Sequence, residues 1–281
     1  MNNYKQFTIS TIPFNPELLS GLLWELEISG INETETFLTA YTNDADAVTA
    51  EDIKVLLEKM KAENLIETYV IEEGSVENKN WNEEWEKNIN VIEITDNIVI
   101  KPSFKPYNNT GNKLVITIDP KMSFGTGEHQ TTKLMIGLIE EYVKGNERVL
   151  DIGSGTGVLA IAAIKLGAKE AIAVDNDEWC KLNGEENVKV NSLEDKIKCV
   201  LGVAADIEED NFDLIVANIN KHILFDIAKT VYEKTKKTGK VLLSGLLNID
   251  EIETVSYYTS QGFRLIEKRK MDEWSALVLE K

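Results

Sequence analysis

Between Val149 and Ala160 the chain reads Val-Leu-Asp-Ile-Gly-Ser-Gly-Thr-Gly-Val-Leu-Ala, an apolar run carrying Asp151 and then Gly153, Gly155 and Gly157. Glycine has no Cβ and reaches positive φ, so a strand-to-helix turn of this composition lets main chain approach a ligand closely. Gly155-Thr156-Gly157-Val158-Leu159-Ala160 also fits the G-x-G-x-x-A dinucleotide pattern. The carboxylates weigh between ligands. Asp151, just before the turn, would repel a pyrophosphate and attract the ammonium of S-adenosylmethionine. Asp175 follows Gly157 by 18 residues, near the offset of about 20 at which an acid accepts hydrogen bonds from ribose hydroxyls, a group common to both cofactors. No Lys or Arg lies between Asp151 and Ile164 to pair with phosphate. The reading is S-adenosylmethionine; a dinucleotide and a purely structural turn stay open beside it.

Two further segments reach the same crevice if the sheet is doubly wound, because ligands there bind at the carboxyl ends of strands. Asn218 ends one apolar run, in Ala217-Asn218-Ile219-Asn220, and would face the methionine portion of the cofactor or the transferred methyl; its plainer role is a turn residue before a helix. Phe124 to Thr132 supplies glycines, an apolar tip, and Thr131 and Thr132 at a helix start, where a hydroxyl caps the helix or binds a ligand. Gly125-Thr126-Gly127 is not a phosphate-binding P-loop, since no Gly-Lys-Ser/Thr follows. His129 and His222 are the only histidines, and Cys180 and Cys199 the only cysteines. Neither set has metal-ligand or disulfide spacing, so no metal is expected and His129 reads as a loop or helix-start residue rather than a base.

These residues need strands and helices to hold them. After Glu147 the patterning alternates: strand Arg148–Ile152, helix Val158–Leu166, strand Ala171–Val174, helix Trp179–Asn191, then strands Lys196–Leu201 and Phe212–Ala217. A helix near Lys221–Thr235, strand Gly239–Ser244, helix Asp250–Gln261 and strands Phe263–Lys270 and Trp274–Glu280 complete the series. Only the last connection is too short for a parallel crossover, which predicts an α/β sheet of seven strands whose last is antiparallel. Ahead of it, strand signals at Val91–Ile94, Ile98–Ile100 and Leu114–Ile118 lead to a helix over Thr131–Lys144. Residues 1–75 read as a small α+β unit in β-α-β-(β)-α-β order, with helices at Pro16–Ser29 and Asp52–Lys61 and a single strand over Glu33–Tyr41, compatible with a ferredoxin-like fold. The Asn-, Glu- and Lys-rich stretch 76–90, with Trp81 and Trp85 four apart, reads as a linker to the domain 91–281.

Composition bounds the partners. The 281 residues carry 30 basic and 48 acidic side chains, a net charge of −18. A field of that sign repels phosphate backbones, so direct nucleic-acid recognition is not expected, while a cationic partner is drawn in. The start lacks a basic segment followed by an apolar run, and the most apolar stretch, Val149–Ile164, is broken by Asp151 and three glycines. No membrane span is expected, and the expected location is the cytoplasm. A monomer is the default expectation.

The run Phe124-Gly125-Thr126-Gly127-Glu128-His129-Gln130-Thr131-Thr132, with Asp151-Ile152-Gly153-Ser154-Gly155-Thr156-Gly157, Asp175 and Val216-Ala217-Asn218-Ile219, closely resembles the bacterial methyltransferases that modify the eleventh protein of the large ribosomal subunit. The resemblance spans the chain. It implies a class I S-adenosylmethionine-dependent methyltransferase domain, with a Rossmann-like seven-stranded sheet, behind a small amino-terminal domain that grips the ribosomal protein. It also implies lysine ε-amines and an α-amine as acceptors, and cofactor contacts at Thr132, Gly153, Asp175 and Asn218; Asp151 and Gly155 join these from the reading of the turn itself. The chain departs from many family members at Glu128 and Gln130, where small residues or Pro are common. In the implied reaction a neutral amine attacks the sulfonium methyl in line, and desolvation beside that cation favours the neutral amine without a dedicated base. Asn218 and the carbonyl of Ile219 would orient the amine, and Phe124 and Trp274 would wall the lysine stem. Two other functions stay open: a small-molecule methyltransferase of the same fold, indifferent to the first 75 or so residues, and a non-catalytic ribosome-assembly factor that binds S-adenosylmethionine.

Overall fold

A computed structural model of the chain describes all residues except 1–3, 27, 44–47, 77–89, 120 and 122–124. It divides into two compact units, Met1–Trp81 and Asn82–Lys281. The stretch read as a linker, with Trp81 and Trp85, lies almost wholly outside the described residues, as does Phe124.

The first unit has strands β1 (Tyr4–Ile12), β2 (Gly30–Glu33), β3 (Leu38–Asn43) and β4 (Thr68–Val76) and helices α1 (Pro16–Leu23) and α2 (Ala50–Ala62). The sheet order is β2-β3-β1-β4, antiparallel throughout, which is the ferredoxin-like arrangement. Each helix starts where the sequence provides a cap. Asn15 accepts the Leu18 N–H at 3.2 Å ahead of Pro16, and Thr49 and Asp52 cap one another's backbone reciprocally. The single strand expected over Glu33–Tyr41 is two, because Thr34 closes a turn: its N–H and hydroxyl both donate to the Phe37 carbonyl, at 2.9 and 2.7 Å. Alternation along β1 buries Phe7 and Ile9, and Leu19 and Leu23 of α1 and Ile53 and Leu57 of α2 are buried as well.

The second unit opens with a three-stranded sheet of β5 (Ile92–Glu93), β6 (Ile98–Lys101) and β7 (Leu114–Thr117), then helix α3 (Gln130–Tyr142). Strands β8 (Arg148–Ile152), β9 (Glu170–Asp175), β10 (Ile197–Leu201), β11 (Phe212–Asn218), β12 (Thr235–Leu247), β13 (Arg264–Met271) and β14 (Trp274–Glu280) form one sheet in the order β10-β9-β8-β11-β12-β14-β13. All neighbours pair parallel except β14, which runs antiparallel to β12 and β13. Helices α4 (Val158–Lys165), α5 (Glu178–Val190), α6 (Lys221–Lys234) and α7 (Glu251–Ser260) lie between successive strands.

Central strands buried on both faces read as continuous apolar runs, which is why Val149–Ile152 and Leu214–Ala217 lack alternation. Leu150, Ile215, Val241, Leu243 and Leu277 pack with Leu224, Val231 and Tyr258 into one cluster. The chain leaves β8 toward one side and β11 toward the other, so the strand order reverses between them. The carboxyl ends of β8 and β11 therefore open a crevice, which is where a doubly wound sheet binds its ligand.

Candidate functional site

Of the described residues expected to bind the cofactor or orient the amine, all but Thr132 and Trp274 stand at or just past the carboxyl end of β8, β9 or β11. The turn after β8 is made by Gly153, whose φ is +68° and whose backbone is pressed by the Ile219 side chain so closely that a Cβ would overlap it. From the other side Gly245, at φ +83°, packs its α-carbon against the backbone of Ile219, again leaving no space for a Cβ. Ile219 is thus held between the turn that leaves β8 and a glycine within the last residues of β12. This wedge brings Asn218 and Ile219 beside the glycine turn.

Asp175 closes the other flank. One carboxylate oxygen accepts the Gly155 N–H at 2.8 Å and the other accepts the Asp177 N–H at 3.0 Å. Burial pushes its carboxyl up from the ordinary range, and these backbone donors pull it back part of the way. The turn is therefore cross-linked to the acid expected to meet ribose.

Asp151 is fully buried, with Oδ2 accepting the Ala160 N–H at 3.0 Å. Its Oδ1 has no hydrogen-bond partner among the described residues. Burial, with a smaller contribution from the Asp175 charge, pushes the carboxyl up to about 7. The same orphaned state is found at Asn218 Oδ1 and Thr132 Oγ1. Buried polar atoms are nearly always bonded, so three unpaired oxygens at predicted site residues mark places for a ligand's donors.

The Gly125–Thr132 segment is tied to this turn through Thr156, whose hydroxyl donates to the Gly125 carbonyl at 2.7 Å. His129, not a threonine, caps α3: its Nδ1 accepts the Thr131 N–H at 3.3 Å. The His129 ring meets Trp274 edge-on, centroids 4.7 Å apart, which brings the start of β14 to the loop. Gln130 Nε2 donates to Asp272 at 3.3 Å and Glu128 is exposed. Among the described residues no group of three or more acidic, His or Cys side chains is arranged to hold a metal ion, and no helix is long and apolar enough to cross a membrane.

Asn183, Asn187 and Asn191, not singled out from the sequence, bond to the segment entering the loop; the first two are buried and Asn191 is half-buried. Their four-residue spacing, one helical face, is the signal that was there to find.

S-adenosylmethionine fits what is present. A crevice floored by glycine offers an orphaned carboxylate oxygen for an ammonium and a partly buried carboxylate for ribose hydroxyls, and places no cationic side chain on the turn where a pyrophosphate would need one. Fold and turn together define a class I S-adenosylmethionine-dependent methyltransferase. Residues 22–281 match the family model described as Ribosomal protein L11 methyltransferase (PrmA), and the chain belongs to that family, whose cofactor is S-adenosylmethionine. A ribosomal protein L11 methyltransferase of Acetivibrio thermocellus is 38% identical over 206 residues, covering 73% of this chain and 66% of that protein, just under two thirds. That of Porphyromonas gingivalis is 37% identical over 263 residues, covering 93% and 89%. The crystal structure of a ribosomal protein L11 methylase from Lactobacillus delbrueckii subsp. bulgaricus superposes with a TM-score of 0.64 at 31% identity, covering 67% of this chain and 97% of that one.

Proposed function

We propose that the protein transfers methyl groups from S-adenosylmethionine to lysine side-chain and amino-terminal amines of ribosomal protein L11, in the cytoplasm. The observation that carries this reading is the orphaned Asn218 Oδ1, buried at the end of β11 beside the glycine turn. It is an acceptor held where an amine must be aimed at the methyl-bearing sulfur.

The cofactor supplies an activated methyl group and its own thioether leaving group. The protein's part is binding, orientation and exclusion of water. Asp151 Oδ1 takes the ammonium of the methionine portion, Asp175 the ribose hydroxyls, and the amides of the turn with Thr132 Oγ1 the remaining polar edges. Gly153 and Gly155 let the main chain come close, and Gly153 cannot take a larger residue without displacing Ile219. Asn218 Oδ1 and the Ile219 carbonyl orient the incoming amine through its N–H bonds, and Trp274 flanks its aliphatic stem. No general base is required, because a buried site beside a sulfonium holds the amine neutral.

The small unit serves to grip the substrate. Residues 1–81 hold 15 acidic and 5 basic side chains, so they carry −10 of the chain's −18. A basic ribosomal protein is the complementary partner.

The test is transfer of labelled methyl to purified ribosomal proteins with mass-spectrometric mapping. Label on lysines and the amino terminus of ribosomal protein L11 is the expected result. Cofactor binding without label on any ribosomal protein sinks the reading in favour of a small-molecule acceptor or a non-catalytic assembly role.

A further inference from the structure

Helix α5 presents Asn183 and Asn187 on one face, with Asn191 one residue past its end. All three hydrogen-bond to the chain that leads out of β7. Asn191 accepts the Thr117 N–H at 3.1 Å and donates to the Thr117 carbonyl at 2.6 Å. Asn183 donates to the Asp119 carbonyl at 3.0 Å. Asn187 differs in facing two ways: its Oδ1 accepts the Asp119 N–H at 2.8 Å, and its Nδ2 donates to the Thr156 carbonyl at 3.0 Å. Thr156 then donates its hydroxyl to the Gly125 carbonyl. Both Asn187 and Thr156 are wholly buried. A single residue of the glycine turn, Thr156, is thereby connected to Asp119 on one side and Gly125 on the other.

We propose that Asn187 and Thr156 are positioning residues for methyl transfer, tying the glycine turn to the chain at Asp119 and Gly125 so that a cofactor seated on the turn orders Gly125–Thr132 beside the acceptor. This inference rests on the methyltransferase reading above. Neither side chain touches the reacting atoms in this scheme. They act through the main chain, whose Asp119 amide and Gly125 carbonyl are bonded by these two side chains. Loss of either link frees the loop while leaving the acids and amides that bind the cofactor in place. The signature is therefore a fall in kcat with little change in cofactor affinity, as expected when an oriented approach is lost rather than a binding contact. Among the described residues the Asn191 side chain bonds only to Thr117 and the main chain of the helix before it. It stabilises the same region without reaching the turn, and serves as the control.

The experiment uses the full chain in four forms, wild type, Thr156→Val, Thr156→Ser and Asn191→Ala, with S-adenosylhomocysteine as an unreactive probe of the cofactor site. Hydrogen exchange of Asp119 and residues 125–132 is read with and without the probe, alongside calorimetric affinity and methyl-transfer kinetics. In the wild type the probe slows exchange in this region. In Thr156→Val, which keeps the shape and removes the donor, most of that protection is lost and kcat falls about tenfold, the factor that one buried hydrogen bond supports, while cofactor affinity stays within about threefold. Thr156→Ser restores both, and Asn191→Ala keeps the protection despite a lower melting temperature. Full protection in Thr156→Val, failure of Thr156→Ser to restore it, or an equal loss in Asn191→Ala overturns the proposal. Asn187→Asp, which keeps the acceptor for Asp119 and loses the donor to Thr156, repeats the test if Thr156→Val does not fold. A wild type that transfers no methyl to ribosomal protein refutes the substrate reading alone, since the exchange measurement still decides the link.

Discussion

Replacing Asp151 by Asn separates what the buried carboxylate costs the fold from what it does for the cofactor. The side chain is wholly buried, one oxygen accepts the Ala160 N–H, and the other is orphaned. An aspartate of the unfolded chain titrates near 3.8, whereas burial places this one at about 7. Between those values the folded protein retains a proton that the unfolded chain has released. The contribution of Asp151 to stability is therefore unchanged below pH 3.8, falls as pH rises across that window, and is at its least favourable above 7. Three pH units at about 1.36 kcal/mol each give a ceiling of about 4 kcal/mol. Asn keeps the acceptor for Ala160 and places an amide N–H₂ at the orphaned position, at a cost of about 1–3 kcal/mol if it finds no acceptor. Without cofactor, Asp151→Asn should therefore be more stable than the wild type at pH 8 by about 1–3 kcal/mol, and no more stable at pH 4.

Cofactor binding should move the opposite way. An N–H₂ facing an ammonium replaces a charge-assisted bond worth about 1.5–3 kcal/mol, so affinity falls by roughly 10- to 150-fold. In the wild type the bound cation draws Asp151 into its ionised form, so binding at pH 6 releases a proton and binding at pH 8.5 does not. Urea unfolding at pH 4 and 8 checks the first part. Calorimetry in two buffers of different ionisation enthalpy checks the second. Parallel pH dependence of the wild type and the variant refutes the burial argument, and unchanged affinity in Asp151→Asn places the ammonium elsewhere.

Other outcomes follow from the same geometry. Gly153→Ala adds a Cβ against Ile219 at a positive φ, and should lower stability by about 1–3 kcal/mol and abolish measurable cofactor binding, checked by thermal melts and calorimetry. Asp175→Ala loses the acceptors for the Gly155 and Asp177 N–H groups as well as the ribose contact; cofactor affinity should fall more than about tenfold, and equal affinity would remove the ribose role. Asn218→Ala should lower kcat by about tenfold with cofactor affinity changed less, so normal turnover would show that the orphaned oxygen does not orient the amine. Raising salt should raise KM for the ribosomal protein while hardly changing cofactor affinity, because the −18 charge acts over about 8–10 Å at ordinary ionic strength; a salt-independent KM would exclude electrostatic docking.

Much of this was legible without coordinates. The apolar runs at Val149–Ile152 and Leu214–Ala217 lack alternation because those strands are covered on both faces, and the short connection between β13 and β14 leaves only an antiparallel pairing. The crevice follows from the same rhythm, since Asp175 and Asn218 each end a strand and Asp151 stands one residue before the end of another. Boundaries were less legible: the pause at Thr34–Phe37 splits one expected strand into β2 and β3 because a hydroxyl closes the turn, and His129 rather than a threonine caps α3. Both depend on which of several competent side chains wins a local hydrogen bond.

What the sequence determined by itself is the local chemistry: a glycine turn preceded by one acid and followed by another at ribose distance, in a repeating strand-helix pattern whose period names the elements and their direction. Tertiary structure decided which of these elements became neighbours. Ile219 is wedged between Gly153 and Gly245 only because β11 lies between β8 and β12. Asn191, just past α5, and Asn187 within it meet Thr117 and Asp119 across 74 and 68 residues of chain. Periodicity records which face a residue presents, through the local geometry of helix and strand, but carries no record of what that face will meet. That is settled by the packing of the whole sheet, where burying apolar strands brings distant polar groups together and obliges them to satisfy one another.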